Sequence, residues 1–476
     1  MKKINPIHIA AAGLLLLFAK PGLAQSDSIV LSYAAFIENI LLHHPVARQA
    51  ALQNDYAAVE QLAARGHFDP KLGSNWNDKY FDEKHYYRIF DAGFQLPTWY
   101  GLTLKGSFEN TDGTYLNPEN TTTNLGLWTL GIEANLLQGL LIDERRAALQ
   151  QARVFQQAAA NEQKRILNEL LFAASQAYVN WQAVFNTQRI IEESMILAGA
   201  YLDATRESFF NGDKPAIDTL EAFMIVQDRQ LRLQANAIDL VKTRQHLENF
   251  LWYDQLPIEL QPTTAPEPLQ AGTLGLPFVA VPEPQLENHP EILEKQFKIT
   301  QYEIEQRLKR DKFKPKLSVK YNPLLATSAN SIAPEFMLSN YKWGLGFAMP
   351  LLFRTERAAV QKTEVAIREL EFGISDKQNS LRNKLQANRE IQAILQEQVS
   401  LQQQNVVNAG TLLDAENEKY AIGESSVFLL NKRAEKLLDT RTKLVELTAK
   451  YQLNQMEYFY VAGNFVEAAA GSINRN

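Results

Sequence analysis

The sequence contains no cysteine. That single absence excludes disulfides, thiolate metal sites, thiol nucleophiles and a lipid attached through an N-terminal cysteine. Basic charge is also in short supply: 48 Lys plus Arg against 54 Asp plus Glu leave −6, so the basic face that a nucleic-acid binder needs is missing. The seven histidines are scattered. His43-His44 and His289 sit beside helix-start prolines, His8 lies in an N-terminal leader, and His67, His85 and His246 have no companion at ligand spacing. Metalloprotease, serine-hydrolase, Walker and dinucleotide motifs are absent, so structural or surface histidines are expected, with no catalytic, cofactor or metal residues. A secreted carbohydrate-active enzyme would require paired carboxylates in a cleft, and nothing in the sequence signals one. After the leader, no run reaches the ~18 apolar residues of a membrane-spanning helix.

What is present begins with that leader. Lys2 and Lys3, an apolar stretch from about Ile7 to Phe18 and Gly22-Leu23-Ala24 read as a secretory signal peptide over residues 1–24. The rest of the 476-residue chain is 46% hydrophobic and 21% charged overall, the composition of a folded protein too long for one ordinary domain.

The chain is a tandem duplication. His44 to Leu72 aligns without a gap on His289 to Leu317 with 9 of 29 residues shared, where about two would match by chance. A second block pairs Arg146-Ala147-Ala148-Leu149-Gln150 with Arg357-Ala358-Ala359-Val360-Gln361, and the same offset matches Gly212 to Gly423. Repeat one covers 25–252 and repeat two 289–464, separated by a proline-rich linker, 253–288, and followed by a tail, 465–476. Each half is expected to run helix, short helix, strands, very long helix, glycine turn, medium helix. Asp143 and Thr355 are placed to cap the long helices, which run to Phe210 and Ala421 without proline and so reach about 100 Å. The return helix of repeat one is expected over Pro215 to Trp252. With the short helix it assembles a second column as tall as the long one.

Between short and long helices, at about 70–137 and 315–350, the hydrophobic period changes to two. Trp128, Leu130, Ile132 and Ala134 alternate with Thr129, Gly131 and Glu133, and Tyr341, Trp343, Leu345 and Phe347 alternate with Lys342, Gly344 and Gly346. Such alternation fits either an ordinary half-buried sheet or a lipid-facing one. Flanking helices of about 100 Å leave no globular partner to cover the apolar face, which favours lipid, and too few strands exist to close a barrel in one chain. Several copies are therefore needed.

On these features the chain resembles the TolC-type outer-membrane efflux proteins over nearly all its mature length. The residues that carry the resemblance are the two His-Pro helix starts, Phe68-Asp69-Pro70-Lys71-Leu72 and Lys314-Pro315-Lys316-Leu317 before the strands, and Met349-Pro350-Leu351-Leu352 before the second long helix. The resemblance implies an α+β membrane protein: a homotrimer whose strands share a β-barrel in outer-membrane lipid and whose long helical hairpins form a periplasmic tunnel. It implies no enzymatic activity, no cofactor and no nucleic acid. The partners implied are a periplasmic adaptor (membrane fusion) protein and an inner-membrane transporter of the RND or ABC type, as in tripartite efflux or type I secretion. A periplasmic adaptor or coiled-coil scaffold without a pore is the alternative; its single hairpin fits the duplication poorly.

Repeat one departs from the family pattern. About 65 residues lie between Leu72 and Leu137, against 34 between Leu317 and Leu352. The excess fits an additional hairpin turning at Pro97-Thr98-Trp99-Tyr100-Gly101, which makes six strands where the family implies four. Asn135 stands where the family has proline, and an insertion with Gly139 precedes the helix. The resemblance places adaptor docking at the helix-turn-helix tips, with Phe209, Gly212, Tyr420 and Gly423. It also places acidic residues six and nine positions after the second glycine, yet Leu429 and Lys432 stand there. Asp218 and Glu221 hold those offsets from Gly212 instead. They are either solvated helix-start carboxylates or half of a charge latch with Lys432 and Arg433 that closes the tunnel.

Overall fold

The computed structural model describes residues 29–270, 286–326 and 335–473. The expected leader and part of the expected linker lie outside the described residues. Among the described residues ten strands and eight α-helices follow one another: β1 (Val30–Leu31), α1 (Tyr33–His43), α2 (Pro45–Gly66), β2 (Lys71–Phe81), β3 (Lys84–Pro97), β4 (Leu102–Asp112), β5 (Leu127–Asn135), α3 (Glu144–Phe210), α4 (Ala216–Glu248), β6 (Trp252–Tyr253), β7 (Leu256–Pro257), β8 (Ala265–Pro266), α5 (Pro290–Asp311), β9 (Lys316–Ala326), β10 (Glu335–Ala348), α6 (Arg354–Ala421), α7 (Val427–Val461) and α8 (Phe465–Ile473). Helices α3 and α6, of 67 and 68 residues, are each about 100 Å long.

Each long helix packs against the two shorter ones of its own repeat, α3 against α2 and α4, and α6 against α5 and α7, and α3 also packs against α5 and α7 of the other repeat. The same device joins the two pieces of each column. His44 caps α2 by accepting from the Val46 amide through Nδ1, and its ring lies 6.0 Å from that of Phe250, just past α4. His289 caps α5 by accepting from the Glu291 amide, and the close approach of Gly463 to the His289 ring brings in the end of α7. Burial lowers the pKa of both imidazoles. Neutral rings are what the caps require, because protonation removes the Nδ1 acceptor.

The core lies midway along α3, where Tyr33, Phe36, Tyr178, Trp181, Met456 and Phe465 are buried together. The Tyr33 and Ser175 hydroxyls are 2.8 Å apart, and Tyr178 donates to the Leu31 carbonyl. Strand β1 runs parallel to β8 and fastens the N-terminal segment to the linker. Of the stretch expected as a tail, residues 465–473 form helix α8, whose Phe465 is fully buried. Asn168 holds it by accepting from the Phe465 amide.

Six strands form one antiparallel sheet in the order β10-β9-β5-β4-β3-β2. The additional hairpin is β3–β4, turning at Thr98 to Gly101. Cross-strand partners carry one apolar face through all six strands: Leu72 faces Phe94, Phe94 faces Gly106, Gly106 faces Leu130, Ile132 faces Tyr321 and Tyr321 faces Trp343. Among the described residues no other part of the chain covers this face, and Leu72, Trp76, Leu130, Trp343, Leu345 and Phe347 are exposed. Gly106 is glycine because the Phe94 ring lies over it, 2.3 Å from where a Cβ would sit. The opposite face is polar, with Ser107 hydrogen-bonded to Thr129 and Glu133 paired to Lys105 and Lys320.

The two strand-to-helix hinges differ. In the first, Asp143 caps α3 through the Arg146 amide, Arg146 donates to the Leu140 carbonyl, and the Gly139 amide donates to buried Asp311. In the second, Phe353 adopts a left-handed conformation (φ 48°) and stacks on Phe313, so α6 begins at Arg354 with no side-chain cap. The expected capping role of Thr355 is therefore wrong: the N-cap position falls to Phe353, two residues ahead of it. The return helix of repeat one also ends early, at Glu248, because Trp252 and Tyr253 turn away into β6.

Candidate functional site

The far ends of the hairpins are built alike. Gly212 and Gly423 both take φ +81°, a region that favours glycine, and no neighbour lies within 4 Å of an added Cβ. In each tip the glycine amide donates to a carbonyl three residues back, Phe209 or Tyr420. The following amide, of Asp213 or Glu424, reaches five residues back, the pattern of a helix closed by a left-handed residue. Phe210 and Ile422 are left projecting, 81% and 70% exposed. Phe209 is partly exposed and touches the Phe210 ring.

Tyr420 ties the two tips of one chain together. It packs on the cluster of Leu202, Ala222 and Val427, and the Lys214 ammonium sits 3.9 Å over its ring. One turn back, the Tyr201 hydroxyl donates to Asn417 at 2.7 Å. Asp218 and Glu221 lie in the first two turns of α4 and Lys432 lies exposed on α7; among the described residues none of the three makes an ion pair. Arg433 does, with Glu416 of its own hairpin at 3.4 Å. Glu416 also accepts from the Ser425 hydroxyl at 2.5 Å. These donors, Ser425 foremost, hold its carboxyl below the usual range. Within one chain, then, the structure brings Tyr420 to Lys214 and Arg433 to Glu416, and it does not bring Asp218 or Glu221 to Lys432 or Arg433.

Higher along the seam between α4 and α7, Arg232 bridges Asp228 at 3.0 Å, Glu435 at 3.3 Å and Asp439 at 3.1 Å. Arg229 is buried beside it and donates to Asp228 at 2.7 Å, its pKa lowered chiefly by desolvation and then by Arg232. Sequence reasoning missed this network and the roles of Lys214, Glu416 and Ser425. The signal available was spacing: Asp228 with Arg232, and Glu435 with Asp439, are i,i+4 pairs on facing helices.

No family model matches the chain, and no curated protein matches it either. Solved structures do. The membrane channel CusC aligns with a TM-score of 0.63 at 16% identity over 90% of this chain and 91% of its own. The outer-membrane channel CmeC of Campylobacter jejuni gives 0.61 at 12%, over 92% and 89%. The outer-membrane protein VceC of Vibrio cholerae gives 0.61 at 14%, over 90% and 95%. The chain thus has the fold of outer-membrane channel proteins along nearly its whole length.

Proposed function

We propose that the chain is one protomer of a homotrimeric outer-membrane exit duct, in which the sheets embed in lipid and the helices form a periplasmic tunnel. The observation that carries this reading is the apolar face running unbroken and uncovered across six strands at one end of helices about 100 Å long. Water would penalise such a face, whereas lipid covers it once neighbouring copies satisfy the sheet edges. A pore-free scaffold gives that face no purpose. The structural likeness to CusC, CmeC and VceC supports the same reading.

The tips are the proposed docking end for a periplasmic adaptor working with an RND or ABC transporter, with Phe209, Gly212, Tyr420 and Gly423 at the contact. Phe210 and Ile422 add apolar surface there. The latch takes a revised form: among the described residues Asp218, Glu221 and Lys432 make no ion pair within the chain, while Glu416 already holds Arg433. Carboxylates and Lys432 would then meet between neighbouring hairpins in the trimer. Separation of inner and outer membranes on a density gradient tests the reading, which expects the protein in the outer-membrane fraction. Recovery as a soluble periplasmic protein would refute it.

A further inference from the structure

We propose that three copies close into an eighteen-stranded barrel, with β2 of one copy paired to β10 of the next in the register that β9 and β5 use inside one chain. The inference rests on the exit-duct reading and goes beyond it, because the family pattern implies four strands per protomer.

Two observations fix the seam. The six strands alternate in direction, so β2 and β10, the two edges, run opposite ways and present complementary antiparallel ladders. The duplication then says which residues meet. Phe68-Asp69-Pro70-Lys71-Leu72 matches the segment ending at Leu317, which makes β2 the counterpart of β9. The hinge leucines Leu136-Leu137 match Leu351-Leu352, which makes β10 the counterpart of β5 and aligns Trp128 with Trp343. Within the chain, Ala134 of β5 faces Val319 of β9, and Ile132 faces Tyr321. Transferred to the seam between copies, Met349 faces Ser74 and Phe347 faces Trp76. Every apolar side chain stays on the lipid side, as a two-residue period demands.

The additional hairpin belongs to this wall. Strand β3 is paired with both β2 and β4 along nearly its full length, so it lies in the sheet and does not fold into the lumen. Its turn is fixed to the helical end by Trp99, whose ring stacks on Phe68 at 4.2 Å. With strands about 4.8 Å apart and tilted about 40°, eighteen strands span about 36 Å between opposing backbones, whereas twelve span about 24 Å. Such a barrel leaves an open aqueous lumen.

The cysteine-free sequence makes the test clean. Inside one chain Ser74 on β2 and Met349, the residue that follows β10, are five strand spacings apart, about 24 Å, far beyond disulfide reach. Ser74→Cys is combined in turn with Leu345→Cys, Phe347→Cys and Met349→Cys, and Leu104→Cys on β4 is combined with the same three. After mild oxidation in the outer membrane, S74C with M349C should give dimers and trimers on a reducing-agent-free denaturing gel, and the L104C series should give none. A trimeric protein with no S74C cross-link, or with an L104C cross-link, overturns the proposal while leaving the exit duct standing. A parent protein that is monomeric in mild detergent instead refutes the exit duct. Averaged electron micrographs of the unmodified trimer provide a readout independent of any variant: a barrel about 36 Å across is expected, and one about 24 Å across overturns the count.

Discussion

Leu345 and Gly344 are neighbours on β10 at the same depth and on opposite faces of the sheet. Leu345 is 61% exposed on the apolar face, and an added Cβ at Gly344 meets nothing within 4 Å on the polar one. If the apolar face meets lipid, Leu345→Arg places a guanidinium in hydrocarbon at a cost of about 2–4 kcal/mol per chain. That is about 30- to 900-fold in the folding equilibrium, repeated three times in a trimer. Gly344→Arg enters the aqueous lumen and should cost under about 1 kcal/mol, since a surface substitution there removes no contact. Guanidinium unfolding of the protein reconstituted in vesicles, followed by tryptophan fluorescence, compares the two at matched protein-to-lipid ratio. Equal destabilisation by both variants, or a neutral L345R, would refute the assignment of faces and with it the barrel.

Three further expectations follow from the tips and the joints. Gly423→Ile forces a β-branched residue to φ +81°, and should abolish export while trimers still assemble in the outer membrane; unchanged export removes this tip from docking. Asp218→Ala with Glu221→Ala should lengthen or enlarge openings in planar bilayers, and high salt should partly mimic it by screening; parental conductance at every salt concentration eliminates the latch. Because burial lowers the pKa of His44 and His289, the unfolded chain binds more protons than the native one. Their contribution is therefore complete above the ordinary value of about 6.5 and lost as pH falls below it. His44→Asn with His289→Asn keeps a capping side chain, and should make melting temperature less dependent on pH between about 7 and 5 than in the parent; identical pH profiles would show that these joints do not titrate on unfolding.

Much of this architecture was legible because it rests on local rules. The ends of α3 and α6 at Phe210 and Ala421 are written in the glycine two residues on, and the His-Pro starts of α2 and α5 in proline's fixed φ. The apolar face was readable from period-two alternation, and the β3–β4 hairpin from the unequal spacing of the repeats. What escaped depends on contacts distant in sequence. Thr355 fits an N-cap locally, but Phe353 stacking on Phe313 decides where α6 begins. Arg433 reads as a free base beside Lys432, yet Glu416, seventeen residues earlier on the partner helix, already holds it. The polar seam around Arg229 and Arg232 belongs to the same class, since only the packing of α4 near α7 brings its members together.

The central claim is that the apolar sheet is buried in lipid by association of three copies. Light scattering on protein extracted from the outer-membrane fraction in mild detergent measures this directly once bound detergent is accounted for. The account predicts a particle of three mature chains that keeps its helical circular dichroism. A single chain per particle with the same native dichroism would contradict it.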